Sequence, residues 1–170
     1  MFERLFPDDY YESAYVIPYE ELYDKGYRGI IYDIDNTLVP HGAPADERSI
    51  ELFRHLKDIG FKCTLLSNNK QGRVDMFNKD VNVYSIYKAC KPSPKGYLRS
   101  CELMGTTPDT TISVGDQIFT DVWGAKRAGI RSYMVDYIDP HEEIQIILKR
   151  RLEYFILREY RKKRGKSKKA

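Results

Sequence analysis

Two aspartates at alternate positions, Asp33 and Asp35, directly follow the apolar run of residues 29–32. Paired carboxylates behind a strand can hold a divalent cation and attack phosphorus. Asp33 is the candidate nucleophile and would form an aspartyl-phosphate. Asp35 is the candidate general acid and base, which would protonate the leaving alkoxide and then deprotonate the attacking water. The pair therefore predicts phosphoryl transfer.

Other polar residues could complete such a site. Ser67 and Asn68 can donate hydrogen bonds to phosphoryl oxygens, and Lys91 can bind phosphate and balance the charge of the transition state. Lys91 also suits a solvated turn, because prolines follow it at two of the next three positions. Asp121 fits a direct metal ligand, an outer-shell partner or a helix cap. The predicted magnesium ligands are Asp33, Asp35, Asp116 and Asp121.

Strands that alternate with helices would position these residues. Apolar, β-branched runs predict strands over 29–33, 61–66, 83–87, 111–114 and 132–135. Caps and apolar spacing predict helices from Asp46 to a stop at Gly60, from Pro94 to Gly105 and from Thr120 to Gly129. This order predicts a Rossmann-like α/β fold, a parallel sheet with helices on both faces. The carboxyl ends of its strands would bring together Asp33, Ser67, Lys91 and Asp116.

Composition sets limits on the class of protein. A chain of 170 residues with 42% hydrophobic content suits one soluble domain with tails. Its three cysteines include no C-x-x-C spacing, so neither a disulfide framework nor a zinc site is indicated. No segment predicts a membrane span or a secretory signal, and we expect a cytoplasmic protein that could also contact the membrane peripherally.

The C-terminal region is strongly basic. The whole chain carries a net charge of +3, while residues 149–169 contain eleven basic and two acidic side chains, a local balance of +9. The remainder therefore carries −6. An imperfectly amphipathic helix here could pack on the body or on a partner, lie on an anionic membrane or bind nucleic acid. The expected organisation is an N-terminal flank 1–26, a catalytic domain 27–140, a C-terminal helix 141–160 and a disordered basic tail 161–170.

The candidate residues form four motifs, which are Asp33-Ile-Asp35-Asn-Thr37, Leu66-Ser67-Asn68-Asn69, Lys91-Pro92 and Gly115-Asp116-x-x-x-Thr120-Asp121. Over residues 27–137 the chain resembles the haloacid dehalogenase superfamily of phosphatases. The resemblance implies the roles given above and magnesium as the metal. The gaps between the motifs are too short for the superfamily's substrate-covering caps. A site without a cap suits a large substrate, such as a lipid headgroup, a nucleic-acid end or a protein.

The residues around Lys91, the segment 115–125 and the opening Phe6-Pro7-Asp8 resemble the capless (subclass IIIA) type, which includes phosphatidylglycerophosphate phosphatases. That resemblance implies removal of the terminal phosphate from the lipid precursor of phosphatidylglycerol. Two alternatives stay open at this point. One is a phosphatase of a soluble nucleotide or sugar phosphate, and the other is an RNA- or ribonucleoprotein-binding module with vestigial catalysis.

Overall fold

The computed structural model describes residues 2–141 and 144–167, with side chains as far as residue 164. Six strands form one sheet in which every neighbouring pair is parallel. In chain order they are β1 (Asp9–Tyr11), β2 (Gly29–Tyr32), β3 (Lys62–Leu66), β4 (Tyr84–Ile86), β5 (Thr111–Gly115) and β6 (Arg131–Val135). The spatial order is β1-β6-β5-β2-β3-β4. The chain thus builds outward from β2 to β4 and then crosses back to β5, so a ligand-binding crevice is expected between β2 and β5.

Helices connect these strands. They are α1 (Tyr19–Asp24), α2 (Glu47–Ile59), α3 (Gln71–Val81), α4 (Pro94–Met104), α5 (Trp123–Arg127) and α6 (Ile144–Ser167). A capping box between Asp46 and Ser49 starts α2, and Gly60, with a φ of 116°, ends it. A π-helical turn, Ile118–Val122, precedes α5 and replaces the first turn of the helix predicted from Thr120.

Side chains of the central strand alternate between the two faces of the sheet. Ile30 and Tyr32 belong to one core cluster, with residues of α2 and α3. Ile31 belongs to a second cluster, with residues of α4 and α5. Because successive side chains of a strand point to opposite faces, helices cover both sides of the sheet. The predicted Rossmann-like parallel α/β fold is confirmed.

Three elements were not predicted. The edge strand β1 has only three residues, and none of them is fully buried, so it lacks the apolar run that marks the inner strands. Helix α3 buries just Val74 and Phe77, which is too few apolar positions for a clear helical period. Helix α1 has only six residues, which is too short a segment to show a helical repeat of apolar positions. These elements depend on tertiary packing more than on local pattern.

The C-terminal helix α6 packs on the body through one side. Ile156 joins Ile118, Val122 and Met134 in a third core cluster. Ile146 and Leu157, which made the amphipathic pattern look imperfect, are partly buried on this side. The apolar stripe of the sequence, Ile144, Leu148, Leu152 and Phe155, is instead exposed.

Helix α6 also continues beyond the boundary expected at residue 160. It runs to Ser167, and it replaces the expected disordered tail over 161–167, while 168–170 lie outside the described residues. Ion pairs of Lys163 with Glu3 and of Arg164 with Asp9 anchor this end to the N-terminal segment. No helix within the described ranges is long and apolar enough to cross a bilayer.

Candidate active site

The first two carboxylates of the site lie at the ends of neighbouring strands. Asp33 follows β2, and its main-chain N–H donates to the Val114 carbonyl of β5 at 3.0 Å. Asp116 follows β5 and is fully buried. The Thr37 hydroxyl donates to Asp116 Oδ1 at 3.0 Å and lies 3.4 Å from Asp33 Oδ2. The sheet register therefore brings Asp33 and Asp116 together, as the sequence predicted.

Lys91 lies between two of the aspartates. Its Nζ donates to Asp33 Oδ1 at 2.6 Å and to Asp121 Oδ1 at 2.7 Å, and the residue is only 8% exposed. Burial by itself lowers the pKa of Lys91, but the Asp121 and Asp33 carboxylates outweigh it and raise that pKa well above the ordinary lysine value. Lys91 is therefore a buried ammonium group of the site and not a solvated loop lysine.

Asn68 holds this lysine in place. Its side-chain oxygen accepts from the Lys91 main-chain N–H at 2.7 Å, and its amide nitrogen donates to the Lys91 carbonyl at 3.2 Å. The sequence assigned the Asn68 side chain to the substrate phosphate, but both of its polar atoms bind the Lys91 main chain. The Ser67 hydroxyl accepts from the Asn69 N–H at 3.1 Å, which leaves its hydrogen to donate elsewhere.

Three carboxylates form a group that could hold a metal ion. Asp33, Asp116 and Asp121 each contribute one oxygen, and these oxygens all lie within 4.8 Å of one another. Burial, opposed by Lys91, raises the pKa of Asp33, and neighbouring carboxylates add to the rise. Burial and Asp121 likewise raise the pKa of Asp116 against the opposing guanidinium of Arg150. Crowded, buried carboxylates of this kind are stabilised by a bound cation.

Asp35 is not part of that group, although the sequence placed it among the metal ligands. Its Oδ1 accepts from Arg73 Nη2 at 2.9 Å, and from the Gly42 N–H at 2.7 Å. Its Oδ2 accepts from Asn69 Nδ2 at 2.7 Å. These donors turn the carboxylate toward α3 and the loop after β2. Asp35 still lines the same cleft as Asp33, where it can serve proton transfer.

Gly115 allows Asp121 to reach the site. A Cβ at position 115 would lie 2.4 Å from both the Cβ and the Cγ of Asp121. The Asp121 Oδ2 accepts from the Gln117 N–H at 3.1 Å, which fixes the carboxylate across the turn. Asp121 is buried, and it contacts both Lys91 and the carboxylate group.

Helix α6 contributes two residues that the sequence did not identify. Arg150 Nη1 donates to the Asp116 carbonyl at 2.6 Å, and Arg150 Nη2 pairs with Asp116 Oδ2. Glu153 Oε1 accepts from the Ile118 N–H at 2.7 Å. Both side chains lie in a segment rich in basic residues, where an arginine is usually solvated. Their three-residue spacing, which places them on one helix face, was the available signal.

These residues surround an open cleft of about 270 Å³. Its lining consists of Asp33, Asp35, His41, Ser67, Asn68, Asn69, Lys91, Gln117, Thr120, Asp121, Ile146 and Lys149. The volume is slightly below the roughly 300–1,000 Å³ of typical small-ligand pockets. Residues 2–141 contain no cap domain over it, because only a loop, α2, β3, α3 and β4 separate the first three motifs.

Several known proteins are similar to this chain in sequence. A family model described as a haloacid dehalogenase-like hydrolase matches residues 42–129. The "Probable phosphatase YqeG" of Bacillus subtilis (strain 168) is 37% identical over 137 residues, which cover 79% of this chain and 80% of that protein. Phosphatidylglycerophosphate phosphatase 1, chloroplastic/mitochondrial, of Arabidopsis thaliana is 26% identical over 159 residues, covering 86% of this chain and 45% of that protein.

A solved structure shares the architecture. The cobalt-bound deoxy-D-mannose-octulosonate 8-phosphate phosphatase of Haemophilus influenzae superposes with a TM-score of 0.52 at 14% identity, over 64% of this chain and 68% of that chain. At this identity the likeness concerns the fold alone. The family model and the Bacillus relative show that the chain is also similar in sequence to proteins of this family. The chain belongs to the haloacid dehalogenase-like hydrolases and is a capless phosphatase, a phosphoric monoester hydrolase, of that family.

Proposed function

We propose that this phosphatase is magnesium-dependent and works through an aspartyl-phosphate on Asp33. The observation that carries the proposal is the position of Asp33, which lines the open cleft while its carboxylate contacts Lys91 Nζ at 2.6 Å. A nucleophile that attacks a phosphate dianion needs positive charge close by, and Lys91 supplies it.

The donor set favours a hard divalent cation. Oxygens of Asp33, Asp116 and Asp121 lie close enough to share one ion, and carboxylate oxygens are the donors that magnesium prefers. The residues therefore fit magnesium, with Asp33, Asp116 and Asp121 as its protein ligands. When bound, the ion neutralises the charge that separates the carboxylate nucleophile from the phosphate.

The chain's own residues account for the bonds that change. An oxygen of Asp33 attacks phosphorus, the P–O bond to the leaving alkoxide breaks, and the alkoxide takes a proton from Asp35. Lys91 and the Ser67 hydroxyl donate to the phosphoryl oxygens. Asp35 then takes a proton from water, whose oxygen attacks phosphorus and releases inorganic phosphate and Asp33. The ion pair with Arg73 favours the charged carboxylate of Asp35. Asp35 therefore turns away from Arg73 when it carries the proton as the acid.

The substrate that we propose is phosphatidylglycerophosphate. The cleft is open and its volume suits a headgroup better than a whole lipid, so the acyl chains would stay outside. The Arabidopsis relative carries the name of this activity. A site without a cap also leaves room for a membrane surface next to the scissile phosphate.

An exposed face of α6 supports contact with an anionic membrane. Ile144, Leu148, Leu152 and Phe155 are 57–76% exposed, and helical spacing places them along one side. Arg151 and Arg158 are exposed next to this stripe. Apolar side chains flanked by cations are typical of helices that lie in the interface of anionic bilayers.

Phosphate release from phosphatidylglycerophosphate in mixed micelles, with and without magnesium, tests the proposal. We expect turnover that requires magnesium and that Asp33→Asn abolishes. Asp75→Asn is the matched control, because Asp75 is exposed on α3 and does not line the cleft. Turnover that survives Asp33→Asn would disprove the nucleophile. Hydrolysis of soluble nucleotides or sugar phosphates with none of the lipid would disprove the substrate, and RNA binding without any phosphatase activity would overturn both.

A further inference from the structure

One wall of the cleft comes from the C-terminal helix. Ile146 and Lys149 line it, and their spacing of three residues places them on the same face of α6. The other lining residues follow β2, β3, β4 and β5. A segment outside the four motifs therefore lines the same cleft as the candidate nucleophile Asp33.

This wall has a fixed position relative to the aspartates. Arg150, next to Lys149 in the chain, binds the Asp116 carbonyl at 2.6 Å, and Glu153 accepts from the Ile118 N–H at 2.7 Å. Glu153 is only 3% exposed. The Glu153 contact is buried and the Arg150 contact is partly buried, so together they hold the main chain at Lys149 next to the loop that carries Asp116.

The cationic side chains in and beside the cleft differ in whether they have an ion-pair partner. Lys91 binds Asp33 and Asp121, and Arg73 binds Asp35. Lys149 is exposed at the cleft, and its ammonium group has no hydrogen bond or ion pair within the described ranges. Lys91 would serve the scissile phosphate, together with the cation that Asp33, Asp116 and Asp121 could hold. Lys149 therefore offers positive charge to a different anionic group.

We propose that α6 selects the substrate, with Lys149 binding a second anionic group on the leaving group and Ile146 packing against the carbon skeleton between the two. The inference rests on the proposed phosphatase function. It specifies a phosphomonoester whose leaving group carries another phosphate. The phosphodiester of a lipid headgroup and the second phosphate of a soluble bisphosphate share this chemistry, and the experiment must separate them.

Steady-state kinetics of the full chain provide the test. The probes are glycerol 3-phosphate, glycerol 1,3-bisphosphate and a short-chain phosphatidylglycerophosphate, at fixed magnesium concentration and ionic strength. The quantity of interest is the ratio of kcat/KM for each doubly charged probe to that for glycerol 3-phosphate. We expect Lys149→Met to lower this ratio on the order of tenfold, mainly through KM. A fall for the lipid alone assigns the site to the headgroup, and an equal fall for both probes assigns it to the shared phosphate.

Lys79→Met is the matched control, since Lys79 is an exposed lysine of α3 that does not line the cleft. It should leave the ratio at the wild-type value. An unchanged ratio in Lys149→Met, or an equal fall in Lys79→Met, would overturn the inference while leaving the phosphatase intact. Wild-type protein that hydrolyses none of the probes would overturn the proposed function as well. Equal thermal unfolding of both variants excludes loss of fold as the cause.

Discussion

Arg150 binds Asp116 twice, through the main-chain carbonyl at 2.6 Å and through the side-chain Oδ2. The contact joins the C-terminal helix to a proposed metal ligand that lies 34 residues earlier. Glu153 pairs with the same guanidinium at 3.2 Å, so the two helix residues together add little net charge near the metal site. Arg150 therefore acts on Asp116 mainly by orienting it.

Replacing Arg150 should weaken magnesium binding. Arg150→Met removes the guanidinium that orients the Asp116 carboxylate and takes the ion-pair partner from the buried Glu153, which keeps its hydrogen bond from the Ile118 N–H. Loss of an outer-shell contact of this kind costs about 10–100-fold in metal affinity or activity. Titration of both activity and thermal unfolding with magnesium should show a higher half-saturating concentration. A lower one would instead mean that the guanidinium competes with the metal. Arg151→Met, on the exposed side, should leave the half-saturating magnesium concentration unchanged.

Gly115→Ala should displace Asp121. The new methyl group would lie 2.4 Å from the Asp121 Cβ and Cγ, which forces the turn between β5 and α5 to move. Overpacking of this kind costs about 1–3 kcal/mol of stability, and a shift of roughly 1 Å in a catalytic group costs about 100-fold in rate. Denaturant unfolding and kcat/KM measure the two effects.

Gly72→Ala controls for the loss of a glycine, because no described atom beyond its chain neighbours and its own helix backbone lies within 4 Å of the added methyl group. Gly72 belongs to α3, where alanine is the better helix former, so stability should stay equal or rise by about 0.5–1 kcal/mol. If both variants lose activity equally, the Asp121 clash is not the reason.

Asn68→Ala should destabilise the loop that carries Lys91. It removes two hydrogen bonds to the Lys91 main chain, and unpaired polar groups left behind cost about 1–3 kcal/mol each when buried. We expect a lower melting temperature without any ligand, together with a fall in kcat. A change confined to substrate KM, with unaltered stability, would instead favour the phosphate-binding role that the sequence suggested.

The convergence of Asp33, Ser67, Lys91 and Asp116 could be predicted because parallel strands place their carboxyl ends at one edge. Residue type and position along a strand suffice for that inference. The use of each polar atom does not follow from them. Asn68 could face a phosphate or the neighbouring loop, and only the packed geometry distinguishes these.

The contribution of α6 was harder to predict for another reason. Arg150 lies among other basic residues, and its partner Asp116 is distant in sequence, so its three-residue spacing from Glu153 is only a weak sign that it contacts the site. The apolar stripe of α6 left open whether it packs on the body or a partner or lies on a membrane, and the structure packs the opposite side of the helix. Long-range contacts decide which face of a mixed helix is buried, and they leave little trace in the periodicity.

Asp8, part of the opening segment that resembles the capless type, has a structural role that depends on pH. Its Oδ2 accepts from the Ser132 N–H at 2.8 Å, and its Oδ1 pairs with Lys126 at 3.1 Å. Burial alone raises the pKa of Asp8, but the Ser132 and Lys126 contacts outweigh it and lower that pKa below the ordinary 3.8. The stabilisation is therefore complete above about pH 4 and is lost as the pH falls through the folded-state pKa.

Asp8→Asn should remove this dependence. We expect a loss of about 1 kcal/mol at pH 7, with a difference from wild type that shrinks as the pH is lowered below 4. Urea unfolding at a series of pH values measures it. A difference that stays constant down to pH 2 would mean that the charge of Asp8 contributes nothing. Asp58→Asn is the control, because Asp58 is an exposed residue of α2.

The double variant Leu152→Glu, Phe155→Glu should abolish binding to anionic vesicles. Both residues are about 60% exposed on α6, so the change adds negative charge to the face without disturbing the core. An interfacial helix depends on both buried apolar area and attraction to anionic lipid, and the variant removes both. Flotation with phosphatidylglycerol-containing and neutral vesicles measures the loss. Leu98→Glu, at an exposed position of α4, should still float. If the double variant floats equally well while wild type elutes as a dimer that the variant disrupts, a second copy of the chain covers this face instead of the membrane.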